Sequence, residues 1–124
     1  MVGHMHGVLI ADDQADMRLL IEAVFEHAHG GLLVVAEAKN GAETIAQWRE
    51  IHPDVILLDQ QLPDQTGLEV AEIILGEQPD QRIYLFTSYL DAAIREEAAR
   101  LGVVACLSKS DIFTIPDMVS GDDE

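Results

Sequence analysis

Short apolar runs that stop abruptly at polar residues recur along the chain. The clearest is residues 55–58, Val-Ile-Leu-Leu, which ends at Asp59, and residues 8–11 end at Asp12 and Asp13 in the same way. Runs without polar alternation are typical of strands that are buried on both faces, as in a parallel sheet. Because parallel strands need long crossover connections, usually helices, this pattern places the chain in the α/β class.

The segments between these runs have the spacing of amphipathic helices. Apolar side chains recur every three or four positions in residues 15–27, and Val70, Ile73 and Ile74 are predicted to face inward from residues 68–75. The predicted helices are 15–27, a segment between Asn40-Gly41 and Pro53, 68–75 and 91–101, the last with Gly102 as its stop; the predicted strands are 8–11, 32–36, 55–58, 83–86 and 103–107. The alternation predicts a doubly wound, five-stranded parallel sheet of order 2-1-3-4-5, flavodoxin-like, with helices on both faces.

The last segment is expected to be irregular. A fifth helix over residues 110–119 would complete the alternation, but Pro116 lies inside it. A proline costs about 3 kcal/mol in a helix interior, so this helix is expected to be short or irregular. Residues 1–6 are interpreted as a tag or disordered start, residues 7–119 as the domain, and residues 120–124 as a disordered tail.

The charge of the chain excludes several functions. With 23 acidic and 7 basic residues its formal net charge is −16, so we expect no direct contact with nucleic acid and no membrane association. No apolar run approaches the roughly 20 residues of a membrane-spanning helix. The one cysteine, Cys106, excludes an internal disulfide, and we expect a cytoplasmic protein.

Chemistry-bearing residues follow four of the five predicted strands. Asp12 and Asp13 follow the first strand, Asp59 the third, Thr87 the fourth and Lys109 the fifth. In an open parallel sheet, ligands bind at the carboxyl ends of the strands, where the strand order reverses. Three carboxylates that converge there repel one another, and Mg²⁺, a hard cation with oxygen ligands, would relieve this repulsion. Carboxylates, a metal, a hydroxyl and an ammonium are the groups that in-line phosphoryl transfer to a carboxylate requires.

The sequence resembles response-regulator receiver domains of two-component signalling, the CheY-like superfamily, over nearly its whole length. The matching segments are Leu-Ile-Ala-Asp-Asp at 9–13, Asp-Gln-Gln-Leu-Pro-Asp-Gln-Thr-Gly at 59–67, Phe-Thr-Ser at 86–88 and Leu-Ser-Lys at 107–109. The resemblance implies that Asp59 accepts a phosphoryl group from a phosphohistidine on a sensor histidine kinase or phosphotransfer protein. It also implies that Asp13, Asp59 and the backbone carbonyl of Gln61 ligate Mg²⁺ directly, while Asp12 acts through a metal-bound water.

The resemblance assigns Thr87 and Lys109 to the phosphoryl oxygens. This chain departs from the family at Cys106, where an aromatic residue three positions before the lysine is usual and takes part in switching. Tyr89, two positions after Thr87, is the nearest candidate to replace that aromatic, and Ser110 stands where the family often has proline.

Three functional hypotheses are compared. The leading hypothesis is a signalling module that catalyses only its own phosphorylation and dephosphorylation and acts on an effector domain or downstream protein. A receiver-like binding module that is never phosphorylated is the first rival. The second is an aspartate-nucleophile phosphatase, which would need a second acid where Gln61 stands. A homodimer through the face of the last helix is an open alternative.

Overall fold

The computed structural model describes residues 6–28 and 31–120, with only the backbone of Met118 and Ser120. Five strands alternate with five α-helices, and a 3₁₀ helix precedes the last of them. The strands are β1 His6–Ala11, β2 Leu32–Ala38, β3 Val55–Asp59, β4 Arg82–Thr87 and β5 Ala105–Ser108. The α-helices are α1 Ala15–His27, α2 Gly41–Ile51, α3 Gly67–Glu77, α4 Ala92–Leu101 and α5 Ile115–Ser120, and the 3₁₀ helix is Lys109–Thr114.

The five strands form one parallel sheet in the order β2-β1-β3-β4-β5. The strand β1 is an interior strand, because it pairs with β2 on one side and with β3 on the other, where Ile10 is opposite Leu57. The strand order therefore reverses between β1 and β3, and their carboxyl ends are neighbours. The doubly wound, flavodoxin-like fold predicted from the sequence is confirmed.

Each face of the sheet carries its own apolar core. One core is formed with α2, α3 and α4, and its buried strand residues include Leu9, Ile56 and Leu85. The opposite core is formed with α1 and the last helices, and includes Ile21 of α1 and Ile112 of the 3₁₀ helix. No helix in the described ranges is long and apolar enough to cross a bilayer.

The helix boundaries follow from local sequence chemistry. Asn40, Thr66 and Asp91 precede α2, α3 and α4, and the side-chain oxygen of each accepts the N–H three residues later. The helix α4 ends at Gly102, as predicted, where φ is 99°, a left-handed conformation that favours glycine.

The last segment is short and irregular, as predicted, and Pro116 explains how the chain accommodates it. The proline is the second residue of α5. The first N–H groups of a helix have no intrahelical partner, so the missing N–H of a proline there removes no helical bond. The interior penalty therefore does not apply. Most of the predicted disordered start and tail lies outside the described residues, although His6 belongs to β1 and Ser120 to α5.

Several details differ from the sequence prediction. The inward orientation of Ile73 is wrong, because its side chain is 41% exposed. The buried face of α3 is formed instead by positions spaced three and four apart, namely Gly67, Val70, Ala71, Ile74 and Leu75. The fifth strand begins at Ala105, two residues after the predicted start.

The first residue of α3, Gly67, lies directly against the end of β3. A Cβ atom at this position would be 2.4 Å from the backbone oxygen of Asp59 and 2.9 Å from Cδ1 of Leu85. A backbone oxygen has no rotamer by which to move away. The absence of a side chain at Gly67 is thus what allows α3 to start beside Asp59.

We expect Gly67→Ala to lower the free energy of unfolding by about 2 kcal/mol, because the added methyl group overpacks a rigid contact. In the same helix, Gly76 has no atom within 4 Å of an added Cβ. Gly76→Ala is therefore expected to raise the free energy of unfolding by about 0.5–1 kcal/mol through helix propensity. Urea unfolding of both variants checks this pair, and equal effects of the same sign would contradict it.

Candidate functional site

Three carboxylates meet at the carboxyl ends of β1 and β3. One carboxylate oxygen from each of Asp12, Asp13 and Asp59 lies within 4.8 Å of the others. Asp12 and Asp59 are buried, whereas Asp13 is exposed. The sequence pattern predicted this convergence, and the pairing of β1 with β3 produces it.

The ammonium of Lys109 lies between the two buried carboxylates. Its Nζ donates to Oδ2 of Asp12 at 3.0 Å and to Oδ2 of Asp59 at 2.9 Å. The ammonium also lies 5.0 Å from the ring centroid of Phe86, within the range of a cation–π contact. Lys109 directly follows β5, so one side chain connects the ends of β1, β3 and β5.

Burial and charge act in opposite directions on this pair. Burial raises the pKa of Asp59 and the charge of Asp12 adds to this, although the Gln61 N–H and Lys109 partly offset the rise. Burial disfavours the charge of Lys109, but its hydrogen bonds to Asp59 and Asp12 and their charges together raise the pKa of its ammonium. Lys109 therefore stays protonated, while Asp59 is harder to ionise than an ordinary aspartate.

The remaining groups of Asp12 are also engaged. Its Oδ1 accepts the N–H of Gln14 at 2.8 Å, and its N–H donates to the carbonyl of Ala38 at 3.0 Å. Its own carbonyl accepts Nη1 of Arg18 at 2.6 Å. The sequence analysis missed Arg18. Since Arg18 is three residues before the buried Ile21 on α1, a charge on the inward stripe was the signal that could have identified it.

Side-chain hydrogen bonds hold the loop between β3 and α3 in place. Oε1 of Gln60 accepts the N–H of Leu68 at 2.9 Å, and the carboxylate of Asp64 accepts the N–H groups of Gly41 and Ala42 at 2.7 and 3.0 Å. The hydrogen bonds from Gly41 and Ala42, above all the one from Gly41, lower the pKa of Asp64. Asp64 thus fastens the loop to the start of α2, a structural role that the sequence analysis did not assign.

Within this loop Gln61 lies beside the carboxylate of Asp59. Its N–H donates to Oδ1 of Asp59 at 3.1 Å, and it forms an isolated antiparallel bridge with Thr66. The side of Asp59 opposite Lys109 is therefore held by the backbone of the loop.

Thr87 ends β4, one strand away from Asp59. It is 1% exposed and its register partner on β5 is Ser108, the residue before Lys109. Its Oγ1 accepts the N–H of Tyr89 at 3.3 Å, while the Tyr89 side chain is 73% exposed. The structure thus places all five strand-end residues of the sequence prediction at one edge of the sheet, and connects Tyr89 to Thr87 through its backbone.

Cys106 borders a small cavity of about 140 Å³. Leu90, Arg95 and Thr114 also line this cavity. The thiol is partly buried, and burial raises its pKa. A cysteine here leaves open a space of the order of one side chain between α4, β5 and the last helices.

The donor set suits a hard divalent cation. Three carboxylates against one ammonium leave two net negative charges in a site where two of the carboxylates are buried. Oxygen ligands of this kind are those that Mg²⁺ prefers, since it binds through one or two carboxylates and keeps several waters. The exposed position of Asp13 leaves one side of the cluster open to such waters.

The fold and this edge of the sheet define a flavodoxin-like α/β domain with an acidic cluster at the carboxyl ends of its strands. A family model described as the response regulator receiver domain matches residues 8–119. The chain therefore belongs to the response regulator receiver domain family of two-component signalling.

Sequence relatives include proteins of similar length and much longer proteins. The chemotaxis protein CheY of Thermotoga maritima is 30% identical over 95 residues, which cover 77% of this chain and 78% of that protein. The protein-glutamate methylesterase/protein-glutamine glutaminase of Archaeoglobus fulgidus is 34% identical over 106 residues, which cover 84% of this chain but 30% of that protein. The chain thus spans about a third of the length of such methylesterase relatives.

Solved structures agree with this assignment. The response regulator domain of Thermotoga maritima CheB superposes with a TM-score of 0.82 at 28% identity, covering 94% of this chain and 91% of that one. A LuxR-family two-component response regulator from an Aurantimonas species gives a TM-score of 0.89 at 26% identity, covering 95% of this chain and 84% of that one.

The raised pKa of Asp59 predicts the effect of neutralising it. A carboxyl whose pKa is higher in the folded than in the unfolded state makes folding less favourable as pH rises through that interval. We therefore expect Asp59→Asn to increase the free energy of unfolding at pH 7 without Mg²⁺ by about 1 kcal/mol, because Lys109 keeps Asp12 as its partner.

The difference between Asp59→Asn and the wild type is expected to shrink as the pH falls below the raised pKa. Urea unfolding at pH 7 and pH 4 measures it, with the exposed Asp80→Asn as the control for a neutralised aspartate. A destabilised Asp59→Asn at pH 7 would show that ionised Asp59 strengthens the fold, contrary to expectation.

Proposed function

We propose that this domain accepts a phosphoryl group on Asp59 and thereby switches a protein-interaction surface. The observation that carries this proposal is the buried Asp59 carboxylate, clustered with Asp12 and Asp13 and bonded to Lys109. A buried acidic cluster with a single cation is costly for stability, so a chemical role is a better explanation than a structural one.

The reaction proposed is transfer from a phosphohistidine to the side chain of Asp59. A carboxylate oxygen forms the bond to phosphorus as the bond from phosphorus to the histidine nitrogen breaks, and that nitrogen keeps the electron pair and takes up a proton. Lys109, which donates a hydrogen bond to Asp59, would bind a phosphoryl oxygen. Thr87, at the neighbouring strand end, would offer its hydroxyl to another. Positioning and charge neutralisation supply most of the catalysis of such a transfer.

Mg²⁺ is the cofactor proposed. Asp13, Asp59 and the backbone carbonyl of Gln61 would hold it directly, and Asp12 would act through a water. When bound, it would neutralise the carboxylates and the phosphoryl oxygens together. The two net negative charges of the cluster support this assignment.

The output proposed is a change on the face formed by α4, β5 and the last helices, read by an effector domain or a downstream protein. The family contains chemotaxis proteins and methylesterases as well as transcriptional regulators, so the receiver unit is joined to different outputs among its relatives. The donor proposed is a sensor histidine kinase or a phosphotransfer protein, and the domain would catalyse only its own phosphorylation and dephosphorylation.

The rival functions are less well supported. A module that only binds a partner does not need three clustered carboxylates and a shared lysine. A phosphatase with an aspartate nucleophile needs a second acid near Asp59, and the position two residues later is the exposed Gln61.

We expect acetyl phosphate with Mg²⁺ to add one phosphoryl group to the wild-type protein and none to Asp59→Asn. Intact-protein mass spectrometry measures the product, and beryllofluoride with Mg²⁺ gives a parallel spectroscopic assay. Asp80→Asn, which changes an exposed aspartate remote from the cluster in sequence, should be modified like the wild type. An unmodified wild type, or a phosphorylated Asp59→Asn, would refute the proposal.

Mg²⁺ is also expected to stabilise the fold. At millimolar concentration it should raise the melting temperature of the wild type by several degrees, because it relieves repulsion among the carboxylates. In Asp13→Asn this rise should be much smaller. A calorimetric melting temperature that does not respond to Mg²⁺ well above the millimolar range would count against the cation site.

A further inference from the structure

The side chain of Arg18 connects the end of β1 to the end of β2. Although Arg18 is on a surface helix, its side chain is only 17% exposed. Its Nη1 donates to the backbone carbonyl of Asp12 at 2.6 Å, and its Nε donates to Oε1 of Glu37 at 2.8 Å. A planar guanidinium holds two acceptors in fixed directions, which the ammonium of a lysine does not reproduce.

The carbonyl that Arg18 binds belongs to the peptide group between Asp12 and Asp13. Because a peptide group is planar, the direction of this carbonyl also sets where the Cα of Asp13 lies. The N–H and the carboxylate of Asp12 have other partners, on Ala38 and Lys109 among others. Arg18 therefore holds the one group of Asp12 that determines the position of its neighbour.

Asp13 depends on this support more than its neighbours do. Its side chain is exposed, and no other side chain or N–H group of the described residues is hydrogen-bonded to its carboxylate. Asp12 and Asp59, in contrast, are each fixed by Lys109 and by a backbone N–H. The Cα position that its backbone gives it is thus what brings the Asp13 side chain within reach of the cluster.

The charge of Arg18 by itself would act against a cation site. A guanidinium near the cluster repels a divalent cation, so a simple charge effect makes Mg²⁺ bind more weakly in its presence. The ion pair with Glu37 offsets this charge while it fixes the guanidinium. The contact with Asp12 thus gives Arg18 an effect on the geometry of the cluster, while the contact with Glu37 reduces the effect of its charge on cation binding.

We propose that Arg18 is a positioning residue of the cation site. By holding the Asp12 carbonyl it places the Asp13 carboxylate where a divalent cation is bound, and Glu37 holds the guanidinium and offsets its charge. This inference rests on the proposed function, which assigns Mg²⁺ to the three carboxylates.

Mg²⁺ binding to the full chain, measured by isothermal titration calorimetry, tests the inference. Arg18→Gln is expected to weaken Mg²⁺ binding by about tenfold, the lower end of the effect of lost support around a metal site. Arg18→Lys keeps the charge but not the fixed geometry, so it should also weaken binding, by a smaller factor. Arg49→Gln removes a more exposed ion pair, with Glu77, at the far end of α2, and should leave the Kd within about twofold of the wild type.

The competing explanations predict different signs. If Arg18 acts only through its charge, Arg18→Gln binds Mg²⁺ more tightly and Arg18→Lys is unchanged. If it is only a structural ion pair, both variants lose thermal stability and keep the wild-type Kd. Either result overturns the inference. Where Arg18→Gln fails to fold, Arg18→Lys decides between positioning and charge.

A second readout is the rate of modification by acetyl phosphate. If Arg18 positions the cation site, Arg18→Gln should be modified more slowly than the wild type at limiting Mg²⁺ and at the wild-type rate when Mg²⁺ is saturating. A slower rate that persists at saturation contradicts the inference. A wild type that binds no Mg²⁺ refutes the proposed function and this inference together. A wild type that binds Mg²⁺, with variants that bind it equally well, refutes this inference alone.

Discussion

The ammonium of Lys109, shared by the carboxylates of Asp12 and Asp59, is the interaction on which the functional edge of this domain depends. It joins three strand ends that are far apart in sequence. Asp12 and Lys109, for example, are separated by 97 positions. The pair is also incomplete, because one positive charge faces three carboxylates. The same contact therefore organises the site and leaves it with an unbalanced negative charge that would attract a divalent cation.

The fold supplies this contact through its topology and not through the stability of the ion pair. Parallel pairing of β1 with β3 brings Asp12 and Asp59 together, and the absence of a side chain at Gly67 lets α3 begin against the Asp59 backbone. Burial of charge in such a place is unfavourable, and apolar packing on both faces of the sheet has to offset it. Burial and ionisation are therefore opposed at Asp59, and burial raises the pKa of its carboxyl.

Much of this arrangement could be predicted from the sequence, since uninterrupted apolar runs indicate buried parallel strands and the carboxyl ends of such strands share one edge. The failures have physical causes. The apolar character of Val70, Ile73 and Ile74 shows that this helix is amphipathic. It does not show which of the adjacent residues Ile73 and Ile74 faces the core, and Ile73 is exposed. The roles of Arg18 and Asp64 depend on bonds to backbone groups, for which the sequence has no complementary residue pattern.

The residues around Thr87 and Cys106 differ more from the family pattern than the acidic cluster does. Thr87 is buried beside the cluster and bonded to the backbone of Tyr89, so a movement of its hydroxyl would be transmitted to the loop after β4. On the neighbouring strand, Cys106 borders a cavity of about 140 Å³ where an aromatic side chain is usual in the family. A thiol is too small to fill or vacate such a space as an aromatic ring would. Leu90, the residue after Tyr89, lines this cavity, so the loop after β4 connects Thr87 to the face of α4 and β5 in addition to the pairing of Thr87 with Ser108.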